Sequence, residues 1–514
     1  MDSIKSFECR EGFAEVGTKY GTVRGYRQNG VYTFRGVEYA RAERFMSARE
    51  PECWEGVKTA LDYGFVCPNM QTPSFVNDHQ LPHRFWITGE DCLNLNIWTM
   101  SLDETAKKPV MVWLHGGGYV AGNASDFEIY EGSGLAYYGD VVSVTVNHRL
   151  NVLGCLDLSE YGDEFSSSGN IIMQDVVMAL RWIRDNISAF GGDPGNVTIY
   201  GQSGGGGKVT TLMQMPSADG LYHRAIIQSG IIRFTGPVEN ASMRITRDAA
   251  REYADKLVSR CSGVENLRTM PVRDLMEICA ELFGRNMFWA PVPGAGDYPG
   301  DIGQTGGFRK ETKDIPTMIG NCLCEFPRYR SGRDKSSMTE EEKLGALREV
   351  YGDYAQEVKT EFEKAYPGVN SWYATGMDMT NFTPHARAFC KERWKMGAAP
   401  AYQYILTLEF PYDGGTMSHH GSELPFIFHN ADIVGPSWKE GRTESFQDEL
   451  FYSWVNFARS GDPNHDRLPV KWLPYSEEHH ATMIFGDESA CRDDHDRDLI
   501  ELMKKAAPPV SGRH

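Results

Sequence analysis

Gly201-Gln202-Ser203-Gly204-Gly205 decides the fold of this chain, because of what stands on either side of it. The preceding Asn196–Tyr200 is a short, apolar, β-branched run that predicts a buried strand. The following Lys208–Gln214 is predicted to continue as a helix. A strand, a G-x-S-x-G turn and a helix are the context of a nucleophile elbow, in which glycines leave room for a tight turn that exposes the serine hydroxyl.

Two other interpretations of this stretch are weaker. A glycine-rich turn with an incidental serine is the plain alternative, and only the flanking strand and helix argue against it. A phosphate-binding loop, G-x-x-x-x-G-K-[ST], would need glycine at Gln202 and a hydroxyl residue at Val209. The stretch therefore predicts that Ser203 is a catalytic nucleophile.

A second glycine-rich loop lies upstream of the serine. Val110–Leu114 is a near-continuous apolar run that predicts a strand, and His115-Gly116-Gly117-Gly118-Tyr119 follows it. Backbone N–H groups in such a loop, together with the amide after the nucleophile, can stabilise a developing alkoxide. The sequence therefore predicts an oxyanion hole formed by Gly117, Gly118 and Gly204.

With these motifs the chain resembles the type-B carboxylesterases, which include cholinesterases and bacterial esterases, from Val23 to Tyr475. Three further segments carry the resemblance: Glu90–Trp98, Trp182–Ile199 and Ser453–Asn464. It implies an α/β-hydrolase fold, with a large, mostly parallel central sheet flanked by helices, a strand-rich N-terminal region and helical insertions. Residues 1–514 are expected to form a single domain of this kind, similar to bacterial carboxylesterases.

The acid of the triad is expected after the serine, since this fold orders its triad as serine, acid, histidine. Pro316–Gly320 predicts a short strand, and Glu325 lies just beyond it. The family has a glycine, a few residues and then a glutamate at this place, which implies that Glu325 is the acid. Phe326 stands where the family often has glycine, so a different local turn is expected here.

The base is implied by the family's His-x-x-Glu-Leu motif, which His420–Leu424 matches. His420 is therefore the expected base, and His419 would be one residue out of register. The histidines that precede the serine are excluded by order. A metal site built from His419, His420 and His429 lacks the spacing of a third ligand, so neither a metal nor a cofactor is expected.

These residues predict hydrolysis of a carboxylic ester through an acyl-enzyme. A serine hydroxyl needs an adjacent base at neutral pH, so His420 would take the proton of Ser203 and Glu325 would hold the imidazole. Amides, lactones and carbamates undergo the same acyl chemistry and stay open as substrates. A non-catalytic adhesion protein, as some family members are, would lack the triad residues that this chain has.

Charge and hydropathy exclude several classes of partner. The 514 residues include 52 basic and 70 acidic side chains, and the net charge of −18 disfavours nucleic acids and anionic membranes. No apolar stretch reaches the ~18 residues of a spanning helix, and Met1–Cys9 lacks the apolar core of a signal peptide. We expect a cytoplasmic enzyme that acts on a small-molecule ester, with its oligomeric state left open.

Departures from the family pattern bear on the substrate. Gln202 stands where the family usually has glutamate, and the nearest match to the choline-stacking tryptophan, Trp86, is displaced. These differences predict a preference for neutral esters over choline esters. Secreted members close a disulfide at the positions of Cys67 and Cys92; two thiols in a reducing cytoplasm are the favoured alternative here.

The resemblance also implies supporting residues around the triad. Buried ion pairs are implied between Arg149 and Asp175 and between Arg44 and Glu90, and a buried hydroxyl is implied at Ser229. A structural role explains each of them as well as a catalytic one.

Overall fold

The computed structural model describes residues 4–69, 81–230, 245–284, 287, 289–326, 334–379 and 382–506. Within these ranges the chain forms seventeen β-strands. In chain order they are β1 (Phe7–Glu8), β2 (Glu15–Gly17), β3 (Thr22–Arg24), β4 (Tyr26–Gln28), β5 (Val31–Glu38), β6 (Val57–Thr59), β7 (Asn94–Thr99), β8 (Lys108–Leu114), β9 (Val142–Val146), β10 (Gly192–Gln202), β11 (Arg224–Gln228), β12 (Thr317–Cys322), β13 (Ala401–Leu406), β14 (Glu409–Phe410), β15 (Thr416–Met417), β16 (Ala481–Phe485) and β17 (Ala490–Asp493).

The same described residues form fourteen α-helices. They are α1 (Ser133–Gly139), α2 (Asn151–Cys155), α3 (Ile171–Asn186), α4 (Gly204–Gln214), α5 (Arg247–Arg260), α6 (Val264–Thr269), α7 (Val272–Phe283), α8 (Ile302–Thr305), α9 (Glu340–Tyr351), α10 (Ala355–Ala365), α11 (Thr383–Lys395), α12 (Leu424–Ile427), α13 (Thr443–Ser460) and α14 (Arg497–Ala506). None of these helices combines the length and the apolar character needed to cross a membrane.

One sheet of twelve strands organises the described chain, in the order β1-β4-β5-β7-β9-β8-β10-β11-β12-β13-β16-β17. The run from β9 to β16 is parallel throughout. The strands on the β1 side and the last strand, β17, pair antiparallel. A mostly parallel sheet with a strand-rich N-terminal edge is the architecture that the sequence predicts.

The parallel strands are buried on both faces, which explains their continuous apolar sequences. In β8, Val110, Val112 and Leu114 belong to one core with residues of α3 and α4. Met111 and Trp113 belong to a second core on the other face. That second core also takes the apolar residues of α13 that recur at helical spacing, namely Phe446, Leu450, Trp454 and Phe457.

The predicted strands are confirmed, with different bounds. Asn196–Tyr200 lies inside β10, Val110–Leu114 lies inside β8, and Pro316–Gly320 overlaps β12. β10 begins earlier than predicted because Gly192 already pairs with Lys108, ahead of a register shift before Val197. The predicted helix after the serine is confirmed as α4.

Sheet order brings the predicted site residues to one edge. β8, β10, β11 and β12 are parallel neighbours, so their carboxyl ends lie side by side. The glycine loop follows β8, Ser203 follows β10, Ser229 follows β11 and Glu325 follows β12. The carboxyl edge of a parallel sheet is where such folds bind their ligands.

Candidate active site

Ser203 connects β10 to α4 with a positive φ of 59° and a ψ of −124°. A non-glycine residue in such a conformation costs about 1–3 kcal/mol and persists only where its surroundings hold it. The Ser203 N–H donates to Gln228 O at 2.9 Å, and the Gly207 N–H donates to Ser203 O at 3.0 Å. A Cβ on Gly201 would lie 2.5 Å from the carbonyl carbon of Gly205, so this turn needs glycine there. The geometry is that of a nucleophile elbow.

The loop after β8 contacts the first turn of α4 backbone to backbone. Gly117 and Gly118 have φ values of 84° and 66°, which L-residues with a side chain rarely adopt. A Cβ on Gly204 would lie 2.5 Å from the amide nitrogen of Gly118. In the described chain, the N–H groups of Gly117, Gly118 and Gly204 donate no hydrogen bond. Unused backbone donors from two adjoining segments are what an oxyanion hole requires.

Glu325 and His420 form a hydrogen-bonded pair. Nδ1 of His420 lies 2.6 Å from Oε2 of Glu325, and the His420 N–H donates to Glu325 O at 2.8 Å. Glu325 is 1% exposed, and its Oε1 accepts from Ser229 Oγ and from Cys322 N, both at 2.7 Å. A carboxylate can only accept, so Nδ1 of His420 carries the proton and Nε2 keeps its lone pair. This is the tautomer that a general base needs.

The adjacent His419 directs its ring to the backbone instead, with Nδ1 3.3 Å from Met417 O. Between the described residues there is no hydrogen bond from the Ser203 hydroxyl to His420. Gln202, the residue before Ser203, has its Nε2 3.9 Å from the place that a Cβ on Gly421 would take, and Gly421 directly follows His420. Catalytic hydrogen bonds are often loose until a substrate is bound. The structure thus joins Glu325 to His420 directly and brings Ser203 to the same site.

Comparison with known proteins identifies the family. The sequence model described as the Carboxylesterase family matches residues 13–499. This chain belongs to the carboxylesterase family. The para-nitrobenzyl esterase of Bacillus subtilis (strain 168) is 30% identical over 494 residues, which cover 93% of this chain and 96% of that protein. The phenmedipham hydrolase of Pseudarthrobacter oxydans is 31% identical over 492 residues, which cover 92% of this chain and 95% of its own.

Solved structures agree with this assignment. An esterase from Clostridium hathewayi superposes with a TM-score of 0.89 at 40% identity, covering 98% of this chain and 99% of that one. A PNB esterase superposes with a TM-score of 0.75 at 29% identity, covering 96% and 99%. This carboxylesterase is therefore a carboxylic ester hydrolase with the α/β-hydrolase fold, as the sequence predicts, from a family that acts on small ester substrates.

A second buried carboxyl group lies beside Glu325 in this carboxylesterase. Glu423 is 1% exposed; its Oε1 accepts from Gln228 Nε2 at 3.2 Å, and Cys322 Sγ lies 3.6 Å from its Oε2. Burial and then the charge of Glu325 raise the pKa of Glu423 to about 7. Glu423 is the glutamate of the His-x-x-Glu-Leu motif, a usable signal that the prediction of site residues did not include.

Two phenylalanines flank the imidazole of His420. The ring centroid of Phe326 lies 4.5 Å from that of His420, and Phe382 lies 5.6 Å away at 27°. Phe382 is buried, whereas Phe326 is 60% exposed. The departure from the family's glycine at Phe326 therefore brings an exposed aromatic ring against the imidazole of His420. The sequence carries no local signal for Phe382, because its contact depends on how distant loops meet.

The carboxamide of Gln202 lies inside the site. Gln202 is 5% exposed, and its Oε1 lies 3.5 Å from the Cβ position of Gly116. Its Nε2 has no hydrogen-bond partner in the part of the chain that the structure describes. Trp86, the displaced match to the choline-stacking tryptophan, donates through Nε1 to Ser125 O at 2.8 Å. A neutral amide donor thus occupies the position where the family usually has a carboxylate.

The supporting ion pairs that the resemblance implies are present. Arg149 and Asp175 form a buried pair at 2.6 Å. Arg44 and Glu90 form a pair at 2.5 Å that is only partly buried, since the Glu90 side chain is 37% exposed. Arg149 also donates to the carbonyl oxygen of Met46 at 2.8 Å, so it ties the N-terminal region to the sheet. These contacts support a structural role for both arginines.

Cys67 and Cys92 are both free and buried. The pKa of Cys92 lies well above its usual range, mainly because of its hydrogen bond to Cys67 and secondly because the thiol is buried. The two thiols are therefore close neighbours. The described residues contain no group of three or more His, Cys, Asp or Glu side chains arranged to bind a metal ion.

Proposed function

We propose that Ser203, His420 and Glu325 form the catalytic triad of this carboxylesterase. The observation that carries this proposal is the 2.6 Å contact between His420 Nδ1 and Glu325 Oε2, at the same sheet edge as the Ser203 elbow. The buried carboxylate fixes the imidazole tautomer, so that Nε2 of His420 is the nitrogen able to take a proton.

In the first half of the reaction, Ser203 Oγ bonds to the ester carbonyl carbon and its proton passes to Nε2 of His420. The carbonyl π electrons move onto oxygen, where three N–H groups stabilise the charge; they belong to Gly117, Gly118 and Gly204. Loss of one such donor typically costs about 2.7–4 kcal/mol of transition-state stabilisation. The ester C–O bond then breaks, and the alcohol leaves with the proton from His420.

In the second half, water attacks the acyl-enzyme with His420 again as the base. The carboxylic acid is released and the Ser203 hydroxyl is restored. The charge of Glu325 stabilises the imidazolium of His420 in both halves, which is why the pair acts as one unit.

The substrates proposed here are esters with an uncharged alcohol. Gln202 offers an amide, which does not attract a cationic alcohol as a carboxylate would. The exposed ring of Phe326 offers an apolar contact beside the base. The similar esterase from Clostridium hathewayi is described as hydrolysing aliphatic aromatic polyesters, and esters with aromatic groups are therefore the first class to test.

The test is hydrolysis of a nitrophenyl acyl panel combined with labelling by an organophosphonate. We expect turnover of the esters, one label per chain at Ser203, and loss of both in Ser203→Ala. Labelling elsewhere, or full activity of the alanine variant, would overturn the proposal. Amides, lactones and carbamates of the same acyl groups belong in the panel, because they share the acyl chemistry.

Ser229→Ala is the matched control, since Ser229 directly follows the neighbouring strand β11, as Ser203 follows β10, but bonds Glu325 rather than a substrate. It removes one hydrogen bond to a charged group, worth about 1.5–3 kcal/mol, so the rate should fall by at most about 10- to 160-fold. It should still take up one organophosphonate per chain.

A further inference from the structure

A buried lysine lies directly behind the proposed oxyanion hole. Lys208 is on α4, one helical turn beyond Gly204, and is 0% exposed. Its Nζ donates to the carbonyl oxygen of His115 at 2.7 Å. No carboxylate of the described chain is close enough to offset its charge. The lysine therefore connects α4 to the residue that begins the glycine loop.

Packing alone does not explain an amine at this place. Burial lowers the pKa of Lys208 to about 7, well below that of an ordinary lysine, because the charged form is removed from water. Val209 and Leu212 on the same helix are 0% exposed and fill the core without that cost. An apolar side chain at position 208 would serve packing better, so the amine needs another explanation, which its bond to His115 O supplies.

Two neutral imidazoles lie near the lysine. The rings of His115 and His148 stack with centroids 4.7 Å apart and planes 7° apart. Each donates through Nδ1 to a backbone carbonyl at 2.9 Å, His115 to Gly116 and His148 to Arg149. Burial and then the charge of Lys208 hold the pKa of both imidazoles well below the usual range. Of these three side chains, Lys208 is the one that is still partly charged near neutral pH.

We propose that Lys208 is a positioning residue for the oxyanion hole, and that its bond to His115 O fixes the Gly117–Gly118 loop against the first turn of α4. The proposed N–H donors come from two separate segments, and Gly204 meets Gly118 with no side chain between them. Glycine backbone has wide conformational freedom. The lysine bond restrains the loop one residue before the glycines begin, so it fixes the relative position of the donors.

This inference rests on the proposed function, and its effect has a definite kinetic form. A displacement of about 1 Å at a catalytic site can cost on the order of 100-fold in rate. The oxyanion exists in the tetrahedral intermediate but not in the bound ester. Loss of Lys208 should therefore lower kcat and leave KM nearly unchanged.

The experiment compares wild type with Lys208→Met on a nitrophenyl ester, with active sites counted by complete organophosphonate labelling. A trifluoromethyl ketone is the second probe: Ser203 Oγ adds to its carbonyl carbon, the π pair moves onto oxygen, the serine proton passes to His420 and nothing leaves. We expect kcat to fall about 10- to 100-fold, the ketone to bind weaker by the same factor, and KM to stay within about twofold.

Lys335→Met is the matched control, because Lys335 is 2% exposed and also donates to a backbone carbonyl at 2.7 Å, that of Asp413. Its kcat and ketone affinity should stay within about threefold of wild type, since Asp413 adjoins none of the proposed donors. An unchanged kcat in Lys208→Met would overturn the inference. So would a fall in kcat with no loss of ketone affinity, or an equal fall in Lys335→Met.

Lys208→Gln keeps an N–H donor on a side chain one bond shorter, and should lose about 3- to 10-fold in both kcat and ketone affinity. If Lys208→Met does not fold, Lys208→Gln is used in its place. Equal losses of kcat and of ketone affinity then support the inference, whereas no loss, or unequal losses, overturn it. A wild type without ester turnover, or an active Ser203→Ala, would instead overturn the proposed function.

Discussion

Glu325→Gln should nearly abolish esterase activity, because it would change which nitrogen of His420 carries the proton. Oε1 of Glu325 accepts from the Ser229 hydroxyl and from the Cys322 N–H, both at 2.7 Å. The backbone N–H can only donate, so the amide oxygen of glutamine is held at this side. Its NH2 group then faces Nδ1 of His420, where the carboxylate oxygen stood at 2.6 Å.

An NH2 group facing Nδ1 requires a lone pair on that nitrogen, which moves the imidazole proton to Nε2. His420 could then no longer accept the proton of Ser203. In a Ser-His-Asp triad the same carboxylate-to-amide change lowers kcat by about 10⁴-fold through the wrong tautomer, which corresponds to about 5.5 kcal/mol. We expect a loss of at least about 10³-fold in kcat here, with KM little changed.

The assay is steady-state hydrolysis of a nitrophenyl ester at pH 6, with Glu423→Gln as the matched control. Glu423 is an equally buried neighbour of Cys322, and burial followed by the charge of Glu325 raises its pKa to about 7. At pH 6 it is mostly neutral, so an amide replaces it with little change of charge, and the loss should stay below about tenfold. Activity of Glu325→Gln within tenfold of wild type would refute the tautomer argument, as would equal damage in both variants.

Three other predictions concern the neighbouring residues. His420→Ala should be as inactive as Ser203→Ala, because triad members act as a unit. His419→Ala should keep most of its kcat/KM. The reverse result would mean that His419, and not His420, is the histidine of the triad. Gln202→Glu should change the ratio of two kcat/KM values, that for a choline ester divided by that for its neutral carbon isostere. The ratio should rise by about tenfold at low salt and by less at high salt. An unchanged ratio would leave Gln202 with a structural role only. Because the folded-state pKa of Glu423 is raised from 4.5 to about 7, the folded chain holds a proton there that the unfolded chain has lost, so this group's contribution to stability falls as pH rises from 4.5 to about 7. We would measure the free energy of unfolding by denaturant at pH 5 and at pH 8. The stability of Glu423→Gln relative to wild type should rise by up to about 3 kcal/mol from pH 5 to pH 8. A difference that stays constant would contradict the raised pKa of Glu423.

Much of the fold could be predicted because its signals are local. Burial of a parallel strand on both faces requires a continuous apolar run, and Val110–Leu114 and Asn196–Tyr200 have it. The glycines around Ser203 are required by a turn of a few residues, so the elbow can also be recognised from the local sequence. Strand bounds were less accurate, since the pairing of Gly192 with Lys108 depends on a neighbour far away in the chain.

The sequence by itself therefore determined the strand–elbow–helix unit, the glycine loop and, through the order of the motifs, the candidates Glu325 and His420. Only the tertiary structure decided that Glu325 bonds His420 across 95 positions, that Glu423 shares Cys322 with it, and that Phe326 lies against His420. It also decided that Lys208, one of many lysines in the sequence, is buried against the carbonyl of His115. The physical reason is that strand periodicity and turn chemistry act over a few residues, whereas these contacts depend on which strands become neighbours in the sheet.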